Sequence, residues 1–208
     1  MEKLINIVDK KLTLEGKLKV PKSPQGIVLF AHGSGSSRFS PRNNFVADIL
    51  NKAGLATLLI DLLSKQEDEI CETRFDIDLL TKRLEMVVDW LGTQSETADL
   101  SIGLFGSSTG SAAALQVAAI KNSKVKAVVS RGGRPDLAMA VLNKIKVPTL
   151  LIVGGNDFGV IELNEQAYQR LVCVKKIEII PKATHLFEEP GCLEEVSRLA
   201  KEWFKKNL

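Results

Sequence analysis

An α/β fold built on a mostly parallel, doubly wound sheet is predicted by three features of the chain. From residue 27 onward, apolar runs of strand length alternate with segments of helical periodicity, the pattern of parallel strands joined by right-handed crossovers. Several runs, such as residues 27–31 and 55–63, are almost wholly apolar, as in strands covered on both faces. Residues able to do chemistry (His32, Asp61, Ser108, Arg131, Asp157 and His185) follow the carboxyl ends of such runs, where open parallel sheets place their sites.

The 208 residues suit one α/β domain, residues 1–208. A hydrophobic share of 45% with 25% charged residues is globular, and no repeat or low-complexity run interrupts it. A formal charge of +3, with Lys and Arg interleaved among Asp and Glu, is too small to suggest a nucleic-acid surface. A small-molecule partner is expected instead. Three cysteines at wide spacing form neither zinc-type pairs nor a disulfide framework, so no metal is expected. The charged, broken N-terminus is unlike a signal peptide, and no apolar run is long enough to span a membrane. A cytoplasmic protein without membrane contact is the expectation.

In order, residues 4–20 alternate loosely around Glu15-Gly16 and read as one or two antiparallel edge strands ending at Pro21. The buried run at 27–31 leads into a Gly/Ser-rich loop, 32–38, and then a helix over 41–52 that Gly54 ends. A strand over 55–63 carries Asp61 near its end. The stripe of Leu79, Leu80, Leu84, Val87, Val88 and Leu91 marks a helix over 76–91. A strand ending at Gly106 precedes a small-residue helix over 112–119. Beyond it come a strand at 125–130, a short helix at 136–144, a strand at 148–153 and a helix at 162–172. A last strand at 176–180, a loop over 181–191 and a terminal helix over 193–206 complete the order.

Gly106-Ser107-Ser108-Thr109-Gly110 fits G-x-S-x-G. A strand turning sharply into a helix lifts the central serine clear of the sheet, and only small neighbours leave room for that turn. Ser108 is the candidate nucleophile. A serine hydroxyl needs a base, and the base an orienting acid. His185 follows the last strand and Asp157 the one before, giving the chain order Ser108, Asp157, His185 used on α/β-hydrolase sheets. Asp61 is a rival acid, and Asp157 could instead cap a helix. His32 is read as tying its own loop. A tetrahedral oxyanion needs backbone N–H donors, expected from Thr109 and from Ser34, with Gly33 as substitute.

These motifs resemble the dienelactone-hydrolase-like group of α/β-hydrolases, small bacterial serine hydrolases with HGSGSSR, G-x-S-T-G, SRGGRPDLA and THLFEEPG. Here they are residues 32–38, 106–110, 130–138 and 184–191. The resemblance implies that fold, a Ser108–His185–Asp157 triad and no cofactor. Dienelactone hydrolase proper carries a cysteine in the elbow, so its lactone chemistry does not transfer to Ser108. Members also occur fused to a phosphoribosyltransferase domain, which is not expected within these residues. Arg38, Arg131 and Arg134, with Arg42 nearby, fall in rim loops and could hold a substrate carboxylate or phosphate. The plainer alternative pairs them with Asp136, Glu188 or Glu189. Only a short helix fits between residues 130 and 148, so no large lid is expected. The function expected is cleavage of a small ester, thioester or lactone; the alternatives are an idle fold serving as a binding module, or a small peptidase.

Overall fold

A computed structural model describes residues 2–10 and 12–208; residue 11, within the predicted N-terminal strand pair, and residue 1 lie outside them. Eight strands form one sheet: β1 (Glu2–Asp9), β2 (Leu12–Lys19), β3 (Ile27–Ala31), β4 (Ala56–Ile60), β5 (Ile102–Ser107), β6 (Val125–Arg131), β7 (Thr149–Gly154) and β8 (Lys175–Ile180). Their order is β1-β2-β4-β3-β5-β6-β7-β8. The β1–β2 and β2–β4 pairings are antiparallel and every other pairing is parallel. The segment expected as one or two antiparallel edge strands therefore forms two, with β1 at the edge and β2 between β1 and β4, and β3 occupies the interior beside β5.

Helices α1 (Pro41–Lys52), α3 (Ile77–Leu91), α4 (Thr109–Ile120), α5 (Phe158–Arg170) and α6 (Cys192–Asn207) cover the sheet, with a single turn, α2 (Lys65–Asp68), before α3. Strand alternation divides two cores. Leu29, Ala31, Leu104 and Val128 point into a layer under α3, α4 and α5, while Val28, Phe30, Phe105 and Val129 point into one under α1 and α6. In the second layer Phe30 and Phe105 meet with ring centroids 4.8 Å apart in a tilted arrangement, which adds to their area burial. The run of small residues Ala112, Ala113 and Ala114 in α4 is fully buried, so the helix packs closely on more than one side.

Several elements differ from expectation, among them the strand expected over 55–63, which ends at Ile60 and leaves Asp61 just beyond it. Helix α4 starts at Thr109 and α5 at Phe158, each directly after a site residue and some residues earlier than periodicity placed it. The short helix predicted over 136–144 is two 3-10 turns, Pro135–Ala138 and Leu142–Lys144, with a break between them. The segment between β4 and α3 is not featureless: Ser64 and Glu67 form a capping box on α2, and a 3-10 turn spans Glu72–Phe75. Among the described residues no helix is long and apolar enough to cross a membrane.

Candidate active site

The turn from β5 into α4 holds Ser108 at φ 50° and ψ −123°, a sparsely populated backbone conformation for a residue with a side chain. Close packing enforces it. A Cβ on Gly106 would sit 2.3 Å from Ser111 Cα, and one on Gly110 would sit 2.3 Å from both the Ala31 and His32 carbonyl oxygens. The elbow is thus clamped between its own helix and the end of β3. The Ser108 carbonyl accepts from the Ser111 hydroxyl (2.7 Å) and from the Arg134 N–H (3.1 Å), which fixes the turn from the other side.

The loops after β7 and β8 are laced together. Asn156 donates its backbone N–H to the Ala183 carbonyl (2.9 Å) and its side-chain amide to the Lys182 carbonyl (3.0 Å). That brings Asp157 against His185, whose Nδ1 lies 2.7 Å from Asp157 Oδ2. Asp157 occupies the N-cap position of α5, yet its side chain makes no capping hydrogen bond; the carboxylate turns to the imidazole. Phe187, fully buried in the left-handed region at φ 58°, anchors the far side of the His185 loop.

Ser108 and His185 line one cavity of about 180 Å³, with Gly33, Ser34, Arg42 and Arg131 also in its wall. That is well under the ~300–1,000 Å³ of sites for drug-sized ligands, so only a small group fits around the serine. Ser34 reaches the cavity, and its backbone N–H donates to Thr109 Oγ1 (2.9 Å). Thr109 itself is buried at the first position of α4.

The other candidates divide by what they touch. His32 is buried with both ring nitrogens engaged: Nδ1 donates to the Gly33 carbonyl (2.9 Å), and Nε2 accepts the Leu62 N–H (3.3 Å). Asp61 takes the Arg38 backbone N–H and guanidinium, so it is joined to Arg38 rather than to an imidazole. Arg38 also reaches Glu15, and Arg134 forms a two-point pair with Asp136 at 2.9 and 2.8 Å. Neither Arg38 nor Arg134 lines the cavity. Arg131 does, and so does Arg42, which pairs with Glu188 at 2.6 Å. The prominence of Arg42 was readable in one respect: it is a cation in the first turn of α1, where the helix dipole disfavours one and no acidic residue stands.

The sequence model of the dienelactone hydrolase family matches residues 14–206. The crystal structure of dienelactone hydrolase from Anabaena variabilis is 53% identical, with a TM-score of 0.97 over 100% of this chain and 98% of that one. Est1E from Butyrivibrio proteoclasticus shares the fold at 18% identity, with a TM-score of 0.84 over 98% of each chain. A Mycobacterium tuberculosis protein named "Putative phosphoribosyl transferase" is 52% identical over 204 residues, 98% of this chain. The match spans 46% of that relative's length.

Proposed function

The chain belongs to the dienelactone hydrolase family, and from that premise we propose that it is a serine hydrolase that cleaves a small ester, thioester or lactone through an acyl-enzyme on Ser108. The observation that carries this reading is the 2.7 Å His185–Asp157 hydrogen bond at the edge of a cavity that Ser108 also lines. A carboxylate on Nδ1 holds the ring in the tautomer that leaves Nε2 free to take a proton.

In the first half-reaction Ser108 Oγ attacks the carbonyl carbon, its proton passes to His185 Nε2, and Asp157 stabilises the imidazolium. Collapse of the tetrahedral intermediate breaks the bond to the leaving oxygen or sulfur, which takes the proton from Nε2. Water then attacks the acyl group with His185 as base again, and expulsion of Ser108 Oγ with return of that proton frees the acid. The oxyanion would be met by the Thr109 N–H at the start of α4 and by an N–H of the 33–34 loop. If Ser34 supplies the latter, its bond to the Thr109 hydroxyl must be exchanged for the substrate oxygen. The small cavity favours short acyl groups.

The decisive experiment is labelling with a fluorophosphonate probe alongside turnover of p-nitrophenyl acetate. Wild-type protein labels and turns over, and Ser108→Ala does neither while folding normally. Absence of labelling in folded wild-type protein would favour a binding module instead.

A further inference from the structure

Strand β8 ends the sheet on the side away from β1, paired with β7 along one edge and, among the described residues, with no strand along the other. Its hydrogen bonds fix which backbone groups face outward. The Val174 carbonyl accepts the Thr149 N–H (2.9 Å) and the Ile180 carbonyl accepts the Gly155 N–H (2.8 Å), so the even-numbered residues turn their backbone polar groups toward β7. By alternation along the strand, the N–H and C=O groups of Lys175, Ile177 and Ile179 point away from the sheet. Ile177 is the middle one of the three.

An open strand edge is a template for another chain, and folded proteins blunt such edges with proline, bulges or outward lysines. Strand β8 contains no proline, and its ladder to β7 runs from Lys175 to Ile180 without a register shift. Lys175 is drawn off the edge: its ammonium donates to the Tyr168 and Leu171 carbonyls at the end of α5 (2.6 and 2.7 Å) and sits 4.4 Å from the centre of the Tyr168 ring. Beside Ile177 an open groove of about 440 Å³, walled by Tyr168 and Gln169 of α5, leaves room next to the strand. Lys176 and Glu178, two residues apart on the other face, pair with each other.

We propose that β8 is an interface for a second copy of this chain, the two β8 strands pairing antiparallel about a twofold axis at Ile177. In that register Ile177 meets Ile177 of the copy and Lys175 meets Ile179 of the copy. Outward residues then oppose outward residues, and each such pair exchanges two hydrogen bonds. On the other face Lys176 stands opposite Glu178 of the copy, and Glu178 opposite Lys176 of the copy; opposite charges directly across an antiparallel pair are favourable. The edge is complementary to itself, as an interface with twofold symmetry must be. Centring the axis on residue 176 or 178 would set like charges against each other, and a shift of one residue would oppose outward groups to inward ones. The inference does not depend on the hydrolase reading.

Sedimentation velocity of the full chain over a dilution series is the test, with circular dichroism to verify folding of each variant. A monomer–dimer equilibrium is expected. Ile177→Pro removes an N–H that bonds nothing within the chain, a change edge strands tolerate, and is expected to weaken dimerisation roughly tenfold or more. Glu178→Lys sets lysine opposite lysine across the axis and is expected to weaken it similarly. Combining Lys176→Glu with Glu178→Lys restores opposite charges in the same register, so the double variant is expected to dimerise close to wild type. If Ile177→Pro fails to fold, the charge exchange decides. A monomer at every concentration overturns the proposal. So does a dimer that folded Glu178→Lys leaves unchanged, or a loss that the exchanged pair does not restore.

Discussion

His32 and His185 differ in what remains after their nearest bonds are made. Both nitrogens of His32 serve backbone groups inside the fold, whereas His185 gives Nδ1 to Asp157 and has a side chain 39% exposed at the cavity. His32→Ala leaves the buried Leu62 N–H without its partner, while the Gly33 carbonyl keeps the Ser36 N–H (3.2 Å), so the expected cost is ~1–3 kcal/mol, read in a denaturation midpoint. On the proposed mechanism, His185→Ala is expected to keep the fold and to lower kcat by about 10²–10⁴-fold, the usual worth of a positioned base. Equal losses of stability in both variants would contradict this division. That His185 would meet Asp157 was legible from the loops that carry them, after the last strand and the one before it. Both histidines follow strand ends, however, and only the placed loops show which backbone groups His32 serves. The partners of the arginines were not legible, because a rim arginine and a pocket arginine look alike in sequence until neighbouring loops are placed. Arg134 beside Asp136 was the exception, being only two residues away.

At the scale of the element, the elbow is where local sequence and long-range packing speak together. Gly106 and Gly110 are required by carbonyls and Cα atoms of other segments, so Gly110→Ala forces a backbone shift between α4 and β3. It is expected to destabilise by ~1–3 kcal/mol or more and to reduce probe labelling of Ser108 more than it reduces stability, as measured by urea unfolding beside labelling rate. The strand-to-helix pattern revealed this turn, but not where its helix begins. Periodicity is carried by apolar side chains, and Thr109, Gly110 and Ser111 at the start of α4 are small or polar. The same blindness delayed α5, whose first residue, Phe158, is exposed and contributes nothing to an apolar stripe. The residues between β4 and α3 were silent because their short turns rest on side-chain caps, such as Ser64 with Glu67, rather than on burial.

For the whole molecule, the two-sided sheet was the most legible feature, since fully apolar strands alternating with amphipathic helices admit few other arrangements. Charge adds a smaller contribution on its surface. Asp89 of α3 bonds Lys124 and Lys121 beyond the end of α4, and those bonds, against the opposing pull of burial, hold its carboxyl below the ordinary value. Because the folded-state pKa is depressed, this stabilisation is present above the unfolded carboxylate range and is lost as pH falls through the folded value. Asp89→Asn is expected to cost ~0.2–1 kcal/mol at pH 7 and to flatten the acid side of the stability profile, an effect that high salt reduces. Thermal melts from pH 3 to 7 in both proteins check it.

The strand order also governs when chemistry becomes possible. Ser108, Asp157, His185 and the 33–34 loop follow β5, β7, β8 and β3, which come together in one sheet, with β6 between β5 and β7, only after the long crossovers have closed. Until β8 docks on β7, residue 108 can stand at its turn with nothing to draw away its proton. On the reading proposed here, partly assembled chains are inert, and reactivity arrives with the final strand rather than growing in step with collapse.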